Sequence, residues 1–365
     1  MSDTVYNFNA GPATLPRSVI LQAQAELADY HGCGYSILEE SHRAPAFEEV
    51  IQAAEANLRK LMGISDDYAV LFLQGGASLQ FAQIPMNLAV PGKKVGAADT
   101  GEWAHKAIKE IQIQGKDVDV IYDGSKDGYK AIGDASQWKI DPDYAYFHIC
   151  ANNTIYGTEY QSFPQTGEVP LVADMSSDIM SRVVDVSKFG LIYAGAQKNM
   201  GPSGVTLVIV RKDLAERCPA TVPTMLRYTT HISKGSLFNT PPTFGIYIIR
   251  LVTDWMLANG GVPAIQKLNE EKAALLYEAI DNSNYYRGTC AKADRSKMNV
   301  PFRIADGNAD LEKKFVAEAK AAGLVGLKGH RAVGGLRASI YNAMPKAGIT
   351  KLIDFMKTFA DANPL

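Results

Sequence analysis

The sequence predicts an α/β fold in which a large domain with a mainly parallel sheet is followed by a smaller C-terminal α/β domain. The first observation is a series of short, continuous apolar runs, which are typical of strands buried on both faces of a sheet. These runs cover residues 68–73, 118–122, 144–150, 169–173, 189–194 and 205–210. The second observation is that helical periodicity occupies intervening segments, such as residues 47–61 and 103–112. Strands that alternate with helices favour a parallel sheet with helices on both faces.

The pattern changes at Gly260 and Gly261, which precede a long helical segment at residues 262–280. Beyond it we predict an extended run, a helix, two extended runs that flank a glycine-rich loop, and a last helix. These lie at residues 298–304, at 311–322, on either side of 329–335, and at 351–359. We therefore expect a large domain at residues 16–260 and a small domain with a partly antiparallel sheet at residues 261–365. Residues 1–15 are expected to pack near the small domain.

The composition is that of a soluble globular enzyme, because 47% of the 365 residues are hydrophobic and 21% are charged. The formal net charge of −2 argues against a nucleic-acid-binding protein, which is usually strongly basic. The first residues lack a signal-peptide pattern, and no apolar run reaches the roughly 18 residues of a membrane span. The four cysteines, Cys33, Cys150, Cys218 and Cys290, are far apart and predict neither a metal site nor a disulfide framework. We expect a cytoplasmic protein with free thiols and no metal.

Two of the apolar runs lead into residues of opposite charge. Lys198 follows the run at 189–194, in YAGAQKNMGPSG, and Asp174 follows the run at 169–173, in VADMSS. An amine and a carboxylate at the ends of two buried strands suit pyridoxal phosphate (PLP) chemistry. The amine forms a Schiff base with the cofactor aldehyde, and the carboxylate keeps the pyridine nitrogen protonated. A surface lysine after a strand is the alternative for Lys198 alone, and its pairing with Asp174 favours the cofactor.

A turn of small residues, QGGAS at 74–78, follows the run at 68–73 and precedes a helical segment that Pro85 would strain. Backbone N–H groups and the helix dipole attract anions at such a position, and Ser78 adds a hydroxyl. The turn has neither the GxGxxG nor the P-loop pattern, so it favours neither a dinucleotide nor a nucleoside triphosphate. A tight turn that binds nothing is an equally good interpretation of this segment alone.

Further signals come from Trp103, from Thr154 and from two clusters of basic residues. Trp103 could stack on a planar cofactor and Thr154 could hydrogen-bond a ring substituent, although each signal is weak by itself. Basic residues form two clusters in loops, which are His42 and Arg43 in the first and His330, Arg331 and Arg337 in the second. Arginine side chains match carboxylates and phosphates through two parallel hydrogen bonds. Because the chain as a whole is slightly acidic, the two clusters predict a doubly anionic substrate, with solvated surface charge as the alternative.

Eight segments together resemble one family. They read NFNAGPATLP, SHRAPAFEEV, LQGGASLQFAQIPMN, TGEWAHKA, VADMSS, YAGAQKNMGPSG, LFNTPPTF and GHRAVGGLRASIYNAM, and they span residues 7–344. On these motifs the chain resembles the phosphoserine aminotransferases, which are fold-type I, PLP-dependent enzymes and usually homodimers. The resemblance implies a transamination of serine biosynthesis, in which 3-phosphohydroxypyruvate plus glutamate is interconverted with O-phosphoserine plus 2-oxoglutarate. It leaves open a second substrate, the phosphohydroxythreonine of pyridoxine biosynthesis.

The resemblance also implies roles for single residues toward the cofactor. Lys198 would hold PLP, Asp174 would pair with the pyridine nitrogen, and Trp103 would stack on the ring. Thr154 would contact the phenolic oxygen. The phosphate would be held by Ala77, Ser78 and Gln197, and by Asn239 and Thr240 reaching across from the partner subunit. Some relatives carry glycine-arginine in place of Ala77-Ser78, so this chain lacks a cation there and keeps backbone donors and the Ser78 hydroxyl.

Toward the substrate, the resemblance implies that Arg337 takes the α-carboxylate. The distal phosphate or carboxylate would be met by His42, Arg43, His330 and Arg331, some of them across the dimer.

Two rival hypotheses for the function stay open. One is another PLP enzyme of the same fold, such as an alanine–glyoxylate aminotransferase or a cysteine desulfurase. The other is a non-catalytic protein that binds phosphorylated metabolites.

Overall fold

The computed structural model describes residues 4–365, which form fourteen strands and ten α-helices. The strands are β1 (Tyr6–Asn7), β2 (Tyr68–Leu73), β3 (Val95–Asp99), β4 (Val118–Asp123), β5 (Phe147–Cys150), β6 (Asn152–Asn153), β7 (Thr158–Glu159), β8 (Leu171–Asp174), β9 (Leu191–Gly195), β10 (Thr206–Arg211), β11 (Tyr286–Gly288), β12 (Asn299–Ile304), β13 (Leu324–Val325) and β14 (Leu336–Ser339). The helices are α1 (Arg17–Glu26), α2 (Pro45–Met62), α3 (Gly76–Leu88), α4 (Glu102–Ile113), α5 (Lys212–Ala215), α6 (Tyr228–Ile232), α7 (Thr243–Ala258), α8 (Gly261–Asp281), α9 (Ala309–Ala321) and α10 (Lys346–Ala362).

A seven-stranded sheet forms the centre of the larger part of the chain, with the order β2-β10-β9-β8-β5-β3-β4. Strand β10 is antiparallel to both of its neighbours, and every other pair is parallel. Six strands therefore run in one direction, and their carboxyl ends lie at one edge. This arrangement confirms the predicted mainly parallel sheet.

Two strands of this sheet differ from the expectation. Strand β3 was not among the predicted runs, because its sequence VGAAD lacks long apolar side chains even though all five residues are buried. At Gly96 there is no space for a side chain, because a Cβ atom would lie 2.4 Å from the ring of Tyr144. Strand β4 is partly exposed rather than buried on both faces, since it is the last strand of the sheet and pairs only with β3.

Helix α7, which the periodicity did not predict, is apolar on most of its surface and has nine buried residues. It packs against α2, α1 and α8 and so closes one face of the larger core. Only Arg250 and Asp254, which form an ion pair one turn apart, mark a polar side of this helix, so the amphipathic pattern in its sequence is short. Despite this apolar character, no helix within residues 4–365 is long and apolar enough to cross a membrane.

The C-terminal part is built on the antiparallel sheet β11-β12-β14, against which α8, α9 and α10 pack around a second hydrophobic core. The beginning of the chain joins this part, because β1 pairs in parallel with β13 and Phe8 lies in the second core. Helix α8 contributes to both cores, with Val262 and Ile265 in the first and Leu276 in the second. The domain boundary at residues 260 and 261 stays a prediction.

Candidate active site

The residues predicted to carry chemistry follow the carboxyl ends of parallel strands, which meet at one edge of the sheet. Asp174 is the last residue of β8, and Lys198 lies three positions after β9 ends at Gly195. Ligand sites of open α/β sheets lie at this edge. Its strands therefore bring together residues that are far apart in the sequence.

Lys198 is held by Thr154, since its Nζ atom donates a hydrogen bond to Thr154 Oγ1 at 2.7 Å. Burial lowers the pKa of the Lys198 amine, and the nearby Arg337 guanidinium lowers it further, whereas Asp174 and Cys150 act in the opposite direction. The net shift is downward, which enlarges the neutral fraction of the amine near pH 7. A neutral amine is the form that attacks an aldehyde or accepts a proton.

Asp174 is almost fully buried and is oriented by its own chain. Its Oδ1 atom accepts hydrogen bonds from the Ser176 backbone N–H at 2.9 Å and from Ser176 Oγ at 2.6 Å. Burial raises the pKa of this carboxyl, while Ser176 and Lys198 oppose the rise. The second carboxylate oxygen receives no hydrogen bond from the described residues, so it is available to a cationic group placed at the sheet edge.

The segment between β1 and α1 runs along Lys198. The Ala13 N–H donates to the Gln197 carbonyl at 2.9 Å, and Tyr341 Oη donates to the Ala10 carbonyl at 2.6 Å. Gly11 has a φ of +146°, and a Cβ atom there would lie 3.3 Å from Lys198 Cγ. The segment therefore connects the C-terminal part of the molecule to the lysine, and Gly11 permits the close approach.

The first turn of α3 has the properties of an anion site. Gly75, with a φ of +89°, directs the chain from β2 into the helix, and an added Cβ atom would lie 2.5 Å from the Leu79 side chain. The backbone hydrogen bonds of the helix begin with the Leu79 N–H, which donates to the Gly75 carbonyl at 3.3 Å. No described backbone acceptor receives the N–H groups of Ala77 and Ser78, so they can bind an anion.

Trp103 lies in the first turn of α4, at the edge defined by β3. Its Nε1–H is buried and has no hydrogen-bond partner among residues 4–365, which is uncommon for a tryptophan. Lys106 lies over the ring at 4.6 Å from its centroid. The charges of Glu102 and Lys106 also act on His330, so the loop after β13 lies close to this helix.

Arg337, on β14, has no carboxylate partner among the described residues. Its Nη1 atom donates to the Thr154 carbonyl at 3.1 Å. Burial lowers the pKa of the Arg337 guanidinium, and it also lowers the pKa of His330, on which Arg337 and Arg331 act in the same direction. The structure therefore groups Lys198, Asp174, Thr154 and Arg337 closely, with His330 and the exposed Arg331 at the rim.

Four predicted residues are not joined to this group by any hydrogen bond or ion pair within residues 4–365. His42 and Arg43 lie in the turn before α2, where His42 Nε2 is buried and has no partner among the described residues. Asn239 and Thr240 lie beside the turn after β2, because the Thr240 carbonyl accepts from Gln74 Nε2 and from Asn239 Nδ2, both at 3.2 Å. Their expected contacts across a dimer stay a prediction.

Sequence reasoning gave no role to several residues that the structure places here. Gly11 belongs to the motif NFNAGPATLP, but no pattern in the sequence places it beside Lys198. Asn199 Oδ1 accepts from the Asn342 N–H at 3.0 Å and so fixes the residue next to Lys198 against the C-terminal part. Tyr193 and His148 lie behind Asp174 inside apolar runs, and no sequence signal separates them from core residues.

Comparisons with known proteins agree with this geometry. Residues 5–352 match the family model of class-V aminotransferases. The phosphoserine aminotransferase of Syntrophobacter fumaroxidans is 54% identical over 100% of both chains. Among solved structures, the phosphoserine aminotransferase of Bacillus circulans subsp. alkalophilus is 49% identical over 99% of both chains, with a TM-score of 0.96. That of Trichomonas vaginalis is 38% identical over 97% of this chain and 99% of its own, with a TM-score of 0.92. The chain therefore belongs to the class-V aminotransferase family, among the phosphoserine aminotransferases.

Proposed function

We propose that this chain transfers the amino group of glutamate to 3-phosphohydroxypyruvate, which yields 2-oxoglutarate and O-phosphoserine, as a step of serine biosynthesis. The observation that carries the proposal is the arrangement around Thr154. Its hydroxyl holds the Lys198 amine at 2.7 Å and its carbonyl holds the Arg337 guanidinium at 3.1 Å. A proton-accepting amine thus lies beside a desolvated cation that can bind an α-carboxylate.

The predicted cofactor, PLP, is confirmed by the family, whose solved Trichomonas vaginalis member is described as PLP-bound. The described residues fit this group. The N–H groups at the start of α3 suit a phosphate, the free oxygen of Asp174 suits a pyridinium nitrogen, and the unpartnered Trp103 Nε1–H lies in the same region. Lys198, with its lowered pKa, is the amine that would hold the aldehyde carbon. When bound, PLP supplies an electron sink that acidifies the Cα–H of the amino acid.

The protein's own groups then divide the work. Arg337 binds the α-carboxylate and so orients the Cα–H bond. Lys198 accepts that proton on Nζ and would return it to the former aldehyde carbon of the cofactor, a role for which a neutral amine is required. Asp174 stays ionised opposite a cationic nitrogen and stabilises its charge, while Ser176 fixes the orientation of the carboxylate.

The distal anion of the substrate is assigned to the basic loops. His330 and Arg331 lie in the loop after β13, on the side of the site where Arg337 and the start of α4 are located. His42 and Arg43 would complete this anion site from a second copy of the chain. The unpartnered buried His42 Nε2 supports a missing partner at that position. The same site would accept the glutamate side-chain carboxylate and the phosphate in alternate half-reactions.

A coupled assay tests the reaction. Phosphoserine with 2-oxoglutarate should be converted rapidly, whereas unphosphorylated serine should react far more slowly. Equal rates with alanine and glyoxylate would favour an alanine–glyoxylate aminotransferase instead, and sulfur release from cysteine would favour a desulfurase. A protein that shows no visible cofactor absorbance bleached by borohydride would support the non-catalytic hypothesis. Use of phosphohydroxythreonine stays a prediction.

We also propose that the chain acts as a homodimer with composite active sites, in the cytoplasm. The exposure of Phe238, which directly precedes Asn239, supports a covering surface near the NTPP motif. Free cysteines at the four described positions agree with a reducing compartment. Mixing Lys198→Ala protein with Thr240→Ala protein under exchange conditions should restore activity, because one site of each heterodimer would carry neither change. An active monomer, identified by light scattering at assay concentration, would refute the composite site.

A further inference from the structure

A histidine and a tyrosine lie behind Asp174 on the same face of the central sheet. His148 is in β5 and Tyr193 is in β9, and both are buried. Tyr193 is the register partner of Asp174 across the parallel pair β8 and β9, which directs the two side chains to one face. His148 Nε2 lies 2.9 Å from Tyr193 Oη. The order along this face is therefore histidine, tyrosine and carboxylate.

The surroundings of His148 decide which ring nitrogen carries the hydrogen. Its Nδ1 atom is buried and has no hydrogen-bond partner among residues 4–365. Because a buried N–H without an acceptor is costly, Nδ1 is the nitrogen that keeps a lone pair. Burial lowers the pKa of His148 to about 4, so the ring is neutral at pH 7. The hydrogen is then on Nε2, and His148 donates it to Tyr193 Oη.

This assignment leaves the hydroxyl hydrogen of Tyr193 free for another acceptor. The carboxylate of Asp174 is the charged group on that side, and the Tyr193 hydroxyl acts to lower the pKa of Asp174 against the larger effect of burial. In turn, burial and the Asp174 charge raise the pKa of Tyr193, so the phenol stays protonated and remains a donor. A phenol O–H that is directed toward a carboxylate stabilises its negative charge.

We propose that His148 and Tyr193 are positioning residues that stabilise the ionised form of Asp174, with His148 donating to Tyr193 and the Tyr193 hydroxyl hydrogen directed toward the Asp174 carboxylate. Ser176 holds one carboxylate oxygen from its own loop, and Tyr193 faces the carboxylate from the neighbouring strand β9. The proposal rests on the role assigned to Asp174 under the proposed function. Neither His148 nor Tyr193 needs to touch the substrate for this role.

Nitrogen-15 NMR of the holoenzyme, and of the protein without cofactor, tests the direction of the hydrogen bonds. The chain has six histidines, and the His148→Gln variant identifies the signals of His148 by their loss. We expect a neutral ring with its hydrogen on Nε2 at pH 7 in both forms. A hydrogen on Nδ1, or an imidazolium at pH 7, would overturn the proposal without depending on activity.

Kinetics test the positioning role. Tyr193→Phe should lower kcat by about tenfold to a hundredfold, because it removes the hydroxyl that stabilises the Asp174 charge, and should leave KM for phosphoserine nearly unchanged. Tyr146→Phe is the matched control, because Tyr146 lies in the same buried cluster and its hydroxyl has no partner among the described residues. Equal kcat for the two variants would contradict the role of Tyr193. If Asp174→Asn also kept normal turnover, the proposed role of Asp174 would fail instead. If Tyr193→Phe does not fold, the NMR assignment decides.

Discussion

The Nζ atom of Lys198 lies 2.7 Å from Thr154 Oγ1, and this contact sets the position of the amine relative to the rest of the site. The same threonine accepts a hydrogen bond from Arg337 through its carbonyl at 3.1 Å. Thr154 follows β6 in the larger part of the chain, whereas Arg337 belongs to the C-terminal sheet. A single residue thus connects the Lys198 amine with the Arg337 guanidinium, across the junction of the two parts.

Lys198→Ala should abolish multiple-turnover transamination while leaving the fold intact. Among the described side chains, only the Lys198 amine donates a hydrogen bond to Thr154 Oγ1. The lowered pKa of this amine suits proton transfer. Initial rates and a thermal unfolding curve provide the measurements, with the exposed Lys93→Ala as the matched control. Turnover near the wild-type rate without an added amine would rule out the assignment.

Asp174→Asn should keep the geometry and lose most of the rate. The amide oxygen can still accept from Ser176, whose N–H and Oγ lie 2.9 and 2.6 Å from Oδ1. A neutral amide cannot stabilise a pyridinium charge, and such a loss removes on the order of several kcal/mol of transition-state stabilisation. The comparison of kcat between variant and wild type measures it. A variant with half of the wild-type turnover would be incompatible with the role.

The sequence predicts Lys198 and Asp174 as active-site residues, because apolar runs show where strands end and parallel strands place those ends at one edge of the sheet. It could not predict that Gly11 packs on Lys198 or that Thr154 binds Arg337. Both contacts depend on how the C-terminal part is placed against the sheet, and no local pattern of residues records that placement. Strand β3 could not be predicted either, because the burial of its alanines and of Gly96 depends on neighbouring elements and not on their own hydrophobicity.

Gly11→Ala should impair catalysis more than stability. Its φ of +146° is unfavourable for alanine, at a cost of about 1–3 kcal/mol, and the added Cβ would lie 3.3 Å from Lys198 Cγ. Gly92→Ala is the matched control, because Gly92 also has a positive φ, of +81°, but nothing within 4 Å of an added Cβ. Both variants should lose thermal stability, and only Gly11→Ala should lose kcat. Equal activity of the two variants would show that the contact with Lys198 is unimportant.

Lys272→Met should change how stability depends on pH. Lys272 is fully buried in α8 and donates to the carbonyls of Ile340, Tyr341 and Met344 at 2.9, 2.7 and 3.1 Å. Burial lowers its pKa to about 7, whereas an unfolded chain holds the proton to about pH 10.4. Between these values the unfolded state binds more protons, so the wild-type free energy of unfolding gains with pH, by at most about 1.4 kcal/mol per unit.

The variant lacks this group and should lack the gain. Urea unfolding of both proteins at pH 7, 8 and 9 measures the difference, which should increase in favour of the wild type as the pH rises. The exposed Lys357→Met on α10 serves as the control and should show a constant difference. A constant difference for Lys272→Met as well would mean that the folded pKa of Lys272 is not lowered.

Arg331 and Arg337 should differ in the substrates they affect. Arg337 is half-buried beside Thr154 and is proposed to bind the α-carboxylate that all amino-acid substrates share, whereas Arg331 is exposed in the loop after β13 and is suited to a distal anion. Arg331→Ala should therefore lower kcat/KM for phosphoserine far more than for alanine. Charge-assisted contacts contribute about 1.5–3 kcal/mol, so the loss on phosphoserine should be roughly tenfold to a hundredfold. Arg337→Ala should reduce kcat/KM for both substrates together. If Arg331→Ala reduces both equally, the distal anion is bound elsewhere, and the preference for a phosphorylated substrate needs another source.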